Sequence, residues 1–109
     1  TKANKGDYIL FVAPKTCQYV GMNLIKKIVG VSGEQVRVIS QNVYVDENLV
    51  GRAKTHTKRG TAISTTKEMT IPANQYFVAT DHIDSYDSRY DEFGLINEKD
   101  IIGVAYPLW

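Results

Sequence analysis

The apolar runs of this chain are short, and this constrains its fold more than any other feature of the sequence. Examples are YILFVA at Tyr8–Ala13, a run containing two lysines at Leu24–Val31, and QYFVAT at Gln75–Thr80. These runs are rich in β-branched and aromatic residues and lie between glycine, proline, serine or aspartate, which is typical of strands. The sequence therefore predicts a fold built from strands.

A tight hairpin is predicted in the middle of the chain. QVRVI at 35–39 and VYV at 43–45 alternate apolar and polar residues on the two sides of a turn at Ser40–Asn42. A second turn, Asp46–Asn48, leads into a strand candidate at Leu49–Gly51. We therefore expect consecutive antiparallel strands here.

The C-terminal part of the chain predicts one more strand. It is the run IIGVAYPLW at Ile101–Trp109, and the preceding Asn97–Asp100 could form one helical turn with Asn97 as its cap. No internal repeat or heptad is present. The predicted class is all-β, a mainly antiparallel folded sheet or partly closed barrel with at most a short helical turn.

Length, charge and cysteine content limit the domain count and the partners. The 109 residues fit a single domain, and thirteen basic against twelve acidic residues leave a net charge of +1, which favours neither nucleic acid nor an anionic membrane. Cys17 is the only cysteine, which excludes an internal disulfide and a thiolate-rich metal site. His56 and His82 have no obvious partner ligands, so we expect no metal and no cofactor.

One segment, Arg52–Thr70, departs from the strand pattern. It is polar, threonine-rich and mostly basic, and we predict an exposed excursion with at most a weak strand at Thr61–Ser64. It contains no aromatic residue for base stacking, so nucleic acid is not an expected partner. A solvated loop and a contact with anionic lipid headgroups both remain open. Its basic side chains include Lys54, His56, Lys58 and Arg59.

Two adjacent lysines interrupt an apolar strand candidate. Lys26 shares one face with Leu24 and Ile28, and Lys27 lies on the opposite face. A lysine held against apolar neighbours loses solvation, which lowers its pKa and makes the neutral amine available as a general base. Alternation alone does not say which lysine is buried, and both could keep their ammonium groups in water.

A polar loop, SYDSRYDEFG at Ser85–Gly94, carries the other candidate residues. If it is extended, Ser85, Asp87 and Arg89 lie on one face, and the opposite face carries Tyr86, Ser88 and Tyr90. A carboxylate beside a guanidinium forms a charge-assisted pair that can orient a nearby serine hydroxyl. The alternative is a surface turn with an incidental ion pair.

Several blocks of this sequence, in this order, resemble the type I signal peptidase family. They are KGDYILF (Lys5–Phe11), LIKKIVGVSGE (Leu24–Glu34), VYVDENLVG (Val43–Gly51), the stretch Ile71–Gly94 and the C-terminal IIGVAYPLW (Ile101–Trp109). The short chain and the PLW ending look most like the conjugative-transfer branch, the TraF-type peptidases of plasmid pilus systems. The resemblance implies a β fold of the signal peptidase type.

The resemblance also implies a serine peptidase that uses lysine as its general base. Lys26 matches that base, Lys27 matches a structural position, and Ser85 matches the serine that orients the base. The supporting residues of the loop would be Asp81, Asp87 and Arg89. Ser-Lys pairs are a recurring variant of nucleophile-plus-base catalysis.

The nucleophilic serine of this family lies upstream of the block matched by Lys5–Phe11. Seven residues precede Tyr8 and none is serine. We therefore expect these 109 residues alone to be inactive, with a nucleophile and a membrane anchor upstream. The expected full-length protein is an inner-membrane endopeptidase with this domain on the periplasmic side, acting on secreted or pilin precursors. The alternative is a non-catalytic binding or assembly protein with the same fold.

Overall fold

The computed structural model describes residues 3–15 and 19–106, and the fold of these residues is all-β, as predicted. Within them, nine strands are connected by turns and by one turn of 3-10 helix at Glu98–Asp100. The strands are Tyr8–Val12 (β1), Asn23–Gly30 (β2), Gln35–Ile39 (β3), Asn42–Val45 (β4), Asn48–Arg52 (β5), Met69–Thr70 (β6), Gln75–Ala79 (β7), Ile96–Asn97 (β8) and Ile101–Ala105 (β9).

The strands form two antiparallel sheets. The first has five strands in the order β8-β7-β2-β1-β9, and the second has four in the order β5-β4-β3-β6. Each sheet ends in two edge strands, so the described chain is a pair of folded sheets and not a closed barrel. No helix in residues 3–15 and 19–106 is long and apolar enough to cross a membrane.

The core is made by side chains that alternate along the strands. Ile9 and Phe11 of β1 and Val43 and Val45 of β4 are fully buried, while their neighbours along the chain are more exposed. Burial of each such side chain contributes about 1.5–3 kcal/mol. In β7 the four residues Tyr76–Ala79 are all buried, and the loop that follows returns to this strand, where Ser88 N donates to Val78 O at 3.0 Å.

The predicted hairpin between β3 and β4 is confirmed. Ile39 pairs with Asn42, which leaves Ser40 and Gln41 as the two-residue loop, with φ angles of 48° and 70°. Positive φ at both central residues is the condition for a type I′ turn, whose twist suits a two-residue hairpin. The turn is thus one residue shorter than predicted, and Asn42 belongs to β4.

Three local predictions concern the excursion and the C-terminal part of the chain. At Thr61–Ser64, where the sequence predicts at most a weak strand, the chain makes an isolated bridge between His56 and Ala62 and no strand. Asn97 does not cap the helical turn through its side chain. The last strand is described as Ile101–Ala105, and the remaining residues named in the predictions, Cys17 and Pro107–Trp109, lie outside the described ranges.

The basic excursion is tied to the rest of the chain at both ends. Ala53 N donates to Gln41 O at 2.7 Å, and Thr66 N donates to Arg89 O at 2.8 Å. Between these anchors the chain folds back on itself around Lys58 and Arg59, which are exposed. We call residues 54–63 the basic hairpin. Its base therefore adjoins the loop Ser85–Gly94, which we call the serine loop, and its tip projects from the surface.

Candidate active site

The pairing of β1 with β2 decides which lysine faces the core. Lys26 lies opposite Ile9, and Lys27 lies opposite Tyr8. Directly opposed residues of an antiparallel pair point to the same face of the sheet. Ile9 is fully buried and Tyr8 is 38% exposed, so Lys26 points to the core side and Lys27 to the outer side.

Lys26 contacts the serine loop directly. Its Nζ donates a hydrogen bond to Ser85 Oγ at 3.0 Å, across 59 positions of sequence. The contact exists because β7 pairs with β2 only from Lys27 onward and then leaves the sheet after Ala79. The loop that follows β7 thus returns beside Lys26.

The environment of Lys26 disfavours its charged form. Burial lowers the pKa of the amine below the ordinary 10.5, the nearby Asp87 carboxylate raises it, and the Arg89 guanidinium lowers it further. Desolvation is the largest of these effects. A neutral lysine amine carries a lone pair and can accept a proton, as a general base must.

Asp87 and Arg89 form a buried ion pair. Arg89 Nε donates to Asp87 Oδ1 at 2.9 Å and Nη2 donates to Oδ2 at 3.0 Å, so both carboxylate oxygens are held. The side chains are 0% and 1% exposed. The alternative of an incidental surface pair is therefore wrong. Because removal of one partner would leave an uncompensated buried charge, such a pair is costly to break, by about 3–5 kcal/mol.

The conditional prediction of an extended Ser85–Tyr90 segment is wrong. Tyr90 N donates to Asp87 O at 3.0 Å, which closes a turn. The turn places Asp87, Ser88, Arg89 and Tyr90 in the interior together, where an extended strand would alternate them between two faces. The local hydrogen bond from Arg89 N to Asp87 Oδ1, at 3.0 Å, stabilises the turn over a strand.

The guanidinium of Arg89 also holds the backbone around Ser85. Nη2 donates to the carbonyl oxygens of Ser85 and His82, each at 3.0 Å, and Nη1 donates to Arg52 O at 3.1 Å. One fully buried cation thus fixes both ends of the His82–Ser85 segment and the end of β5. These bonds limit the positions that the Ser85 hydroxyl can take relative to Lys26.

Gly51 leaves space for this guanidinium. A Cβ atom built on Gly51 would lie 2.9 Å from Arg89 Nη1, closer than a side chain tolerates. The sequence interpretation assigned Gly51 no role beside the site. A glycine inside a strand is a known sign of close approach by another group, and that signal was present in VYVDENLVG.

Ser88 fastens the loop to β7. Its Oγ accepts from Val78 N at 3.0 Å and donates to Gly94 O at 2.7 Å, while Ser88 N donates to Val78 O at 3.0 Å. Ser88 is fully buried, so loss of its hydroxyl would leave a buried backbone amide without this partner. The side chain of Ser88 is therefore engaged in structure and does not point at Lys26.

Asp81, which was a predicted site residue, and His82 lie at the edge of the candidate site. Asp81 is exposed, and its side chain makes no hydrogen bond or ion pair with another residue of the described ranges, so the structure does not bring it to Lys26. His82 Nδ1 accepts from Asp84 N at 3.1 Å, a local turn contact. Ser32, Ser40 and Ser64 are exposed.

Two contacts of the basic hairpin were missed by the sequence interpretation. Lys54 N donates to Tyr90 Oη at 2.9 Å, and Lys54 Nζ pairs with Asp84, the residue before Ser85. The hydrogen bond from Lys54 lowers the pKa of Asp84. No local pattern signals these contacts, because the partners are 30 or more positions apart.

The site holds no cluster of metal-ligand side chains. Within residues 3–15 and 19–106, no three histidine, cysteine or carboxylate side chains are grouped so that they could hold an ion. What the site brings together is an amine of lowered pKa, a serine hydroxyl that accepts its hydrogen bond, and a buried charge pair that holds the serine backbone. This arrangement can transfer protons.

The sequence of the chain is similar to that of known signal peptidases. The model of the family described as signal peptidase, peptidase S26, matches residues 1–109. The chain is similar to signal peptidase I of Pseudomonas aeruginosa, with 30% identity over 96% of this chain and 48% of that protein. It is also similar to signal peptidase I V of Bacillus subtilis, with 36% identity over 90% of this chain and 61% of that protein.

The fold is shared with a solved signal peptidase I from Enterococcus faecalis. The TM-score is 0.62, the identity is 23%, and the similarity covers 97% of this chain and 98% of that one. The chain spans only about half to three fifths of the length of the two relatives above. From the family match over its whole length, the chain belongs to the signal peptidase family, peptidase S26.

Proposed function

We propose that the full-length protein is a membrane-anchored Ser-Lys endopeptidase in which Lys26 is the general base and Ser85 orients it. The observation that carries the proposal is the 3.0 Å bond between Lys26 Nζ and Ser85 Oγ, made by an amine whose pKa burial lowers. Asp87 and Arg89 support the base by holding the Ser85 backbone. Lys27, on the outer face, takes no part in the chemistry.

The nucleophile in this proposal is a serine outside these 109 residues. The proposal rests here on the resemblance to relatives of which the chain spans 48% and 61%. Lys26 takes the proton of that hydroxyl as it attacks the scissile carbonyl, and later gives a proton to the leaving amine. Ser85 keeps the amine directed by its hydrogen bond throughout.

The substrate polypeptide would bind by strand addition. The first residues of β2, Asn23–Lys26, pair with β1 on one side, whereas among the described strands β7 pairs with β2 only from Lys27 onward. The other edge of Asn23–Lys26 is therefore available to an extended chain, which main-chain hydrogen bonds would hold beside Lys26. This edge presents the scissile bond to the base.

The substrates in this proposal are secreted or pilin precursors. The proposed branch of the family is the conjugative-transfer branch. In that setting an upstream anchor holds the protein in the inner membrane, with this domain on the periplasmic side. The sequence feature that supports the branch is the PLW motif at Pro107–Trp109.

The test is cleavage of a secreted precursor by the full-length protein and by its Lys26→Ala variant. We expect the variant to lose a factor of about 100 to 10,000 in kcat/KM, because general-base catalysis contributes that much. Lys27→Ala is the matched control and should retain near-normal activity. Circular dichroism should show the same β fold in all three proteins.

Three results would contradict this proposal. Near-normal cleavage by the Lys26→Ala variant would remove Lys26 from the mechanism. Absence of cleavage by the full-length protein itself would favour a non-catalytic binding protein of the same fold. Cleavage by the 109 residues alone, abolished by Ser85→Ala, would make Ser85 the nucleophile in place of an upstream serine.

A further inference from the structure

A cleft of about 780 Å³ opens beside Ser85, between the serine loop and the basic hairpin. Ser85 lines it, and Ser85 also accepts the hydrogen bond from Lys26. The cleft is thus continuous with the candidate active site. We infer that this cleft binds an acidic segment of the substrate polypeptide.

One wall of the cleft carries an excess of positive charge. The basic hairpin contributes Lys54, Lys58 and Arg59, with His56 beside them, against the carboxylates of Asp84 and Glu92. Lys54 and Lys58 both pair with Asp84, and the hydroxyl of Tyr86 donates to Glu92 at 2.6 Å. Both carboxylates of the lining are therefore engaged within the protein.

Arg59 is a cation of the lining that a ligand can reach. It lies at the exposed tip of the basic hairpin and makes no ion pair with another residue in 3–15 or 19–106. Lys58 is only loosely engaged, at 3.7 Å from Asp84 and with 81% of its side chain exposed. A guanidinium and an ammonium at the mouth of a cleft suit carboxylate side chains.

The cleft is also held in shape. Tyr90 accepts from Lys54 N, Tyr86 stacks on Tyr90 with ring centroids 5.7 Å apart, and Tyr19 meets Tyr86 edge-on at 5.7 Å. Together with the Lys54–Asp84 pair, these contacts fix the base of the basic hairpin against the serine loop. A ligand therefore meets a preformed wall at this base, whereas Lys58 and Arg59 at the tip are exposed.

The shape favours a polypeptide over other anions. A lipid headgroup layer is a broad surface and would not enter a concave cleft that adjoins Ser85. A nucleic acid strand would need open aromatic faces for stacking, but the three tyrosine rings of the lining pack against one another, Tyr19 on Tyr86 and Tyr86 on Tyr90. An extended chain that lies along Asn23–Lys26 of β2 and passes Ser85 would continue into this cleft.

The inference rests on the proposed function in treating the cleft as part of a substrate site, but it is tested by binding and not by turnover. The probe is a fluorescent peptide with three consecutive aspartates, compared with the same peptide carrying three asparagines. We expect the 109-residue chain to bind the aspartate peptide more tightly, with an advantage that shrinks as salt rises.

The variant Lys58→Gln/Arg59→Gln should remove most of that advantage, about threefold to tenfold in Kd, because each partly exposed charge contributes modestly. The matched control is Arg37→Gln/Lys99→Gln, which removes one exposed arginine and one exposed lysine that do not line the cleft. This control should keep the full preference for aspartate.

Three results would overturn the inference. The first is equal binding of the two peptides, and the second is a control variant that loses the preference for aspartate as much as Lys58→Gln/Arg59→Gln does. The third is binding of anionic vesicles or of a single-stranded oligonucleotide through Lys58 and Arg59, without binding of the peptide. If the peptide binds as expected but cleavage by the full-length protein does not depend on Lys26, the inference stands and the proposed catalytic function fails. If Lys26 is essential but the peptides bind equally, the reverse holds.

Discussion

At Lys26, burial and charge act on the amine in opposite directions. Desolvation lowers its pKa most, the carboxylate of Asp87 opposes this, and the guanidinium of Arg89 adds to it. Since Asp87 and Arg89 neutralise each other in a tight pair, burial decides the outcome. The position of Lys26 on the core side of β2 is therefore the main cause of its lowered pKa.

This environment predicts a pH dependence of stability. The unfolded chain binds a proton at Lys26 up to the ordinary pKa of 10.5, whereas the folded chain releases it at a lower pH. In the window between these two values the unfolded state holds more protons, so the free energy of unfolding gains a contribution from Lys26 that rises with pH. Below the folded pKa that gain is absent.

The measurement is urea unfolding of wild type and Lys26→Met from neutral pH to about pH 10, close to the ordinary lysine pKa. The stability of wild type relative to Lys26→Met should increase through the upper part of this range. Lys27→Met serves as the control and should follow wild type. If the difference in free energy of unfolding between wild type and Lys26→Met does not change with pH, burial does not shift the pKa of this amine.

At the scale of the elements, the site depends on the contact between the end of β5 and the serine loop. Arg89 donates to Arg52 O, and Gly51 leaves the space that the guanidinium fills. Thr66 N, beyond the basic hairpin, donates to Arg89 O. The segment that the sequence presented as an excursion is therefore joined to the loop it faces by bonds on both sides.

Gly51→Ala should destabilise the protein by about 1–3 kcal/mol, because the new methyl group would force Arg89 Nη1 away from its position. Gly103→Ala in β9 is the matched control, since a Cβ there meets no atom within 4 Å. Urea unfolding of the two variants measures the difference. Equal stability of the two would mean that Arg89 can move without cost.

At the scale of the whole molecule, two sheets enclose the core, and the tip of the basic hairpin lies outside them. Phe11 and Val43 are fully buried in different sheets, so their strands lose protection only when the core opens. Lys58 and Arg59 lie outside both sheets, on the basic hairpin. Segments with few buried contacts open at the lowest free energy.

Within residues 19–106, limited trypsin digestion should therefore cut first after Lys58 or Arg59. Cleavage in β2 or β3 should follow only with global unfolding, and should speed up with denaturant as the free energy of unfolding falls. Lys58→Gln/Arg59→Gln should abolish the early cut. An early cut after Arg37, which lies in β3, would contradict this picture of the molecule.

The sequence by itself determined the all-β class, the positions of most long strands and the identity of the candidate base and its serine. Strand pattern and turn residues are local properties, and the motif order carries the family resemblance. The short strands β6 and β8 were missed, because two residues hold too little pattern.

Only the tertiary structure decided which lysine faces the core, since that depends on the register of β2 against β1. It also decided that the Asp87–Arg89 pair is buried and that the basic hairpin forms one wall of a cleft beside Ser85. The bonds responsible join residues such as Lys26 and Ser85, 59 positions apart. Burial and charge pairing over such separations arise from packing of the whole chain, which no local pattern encodes.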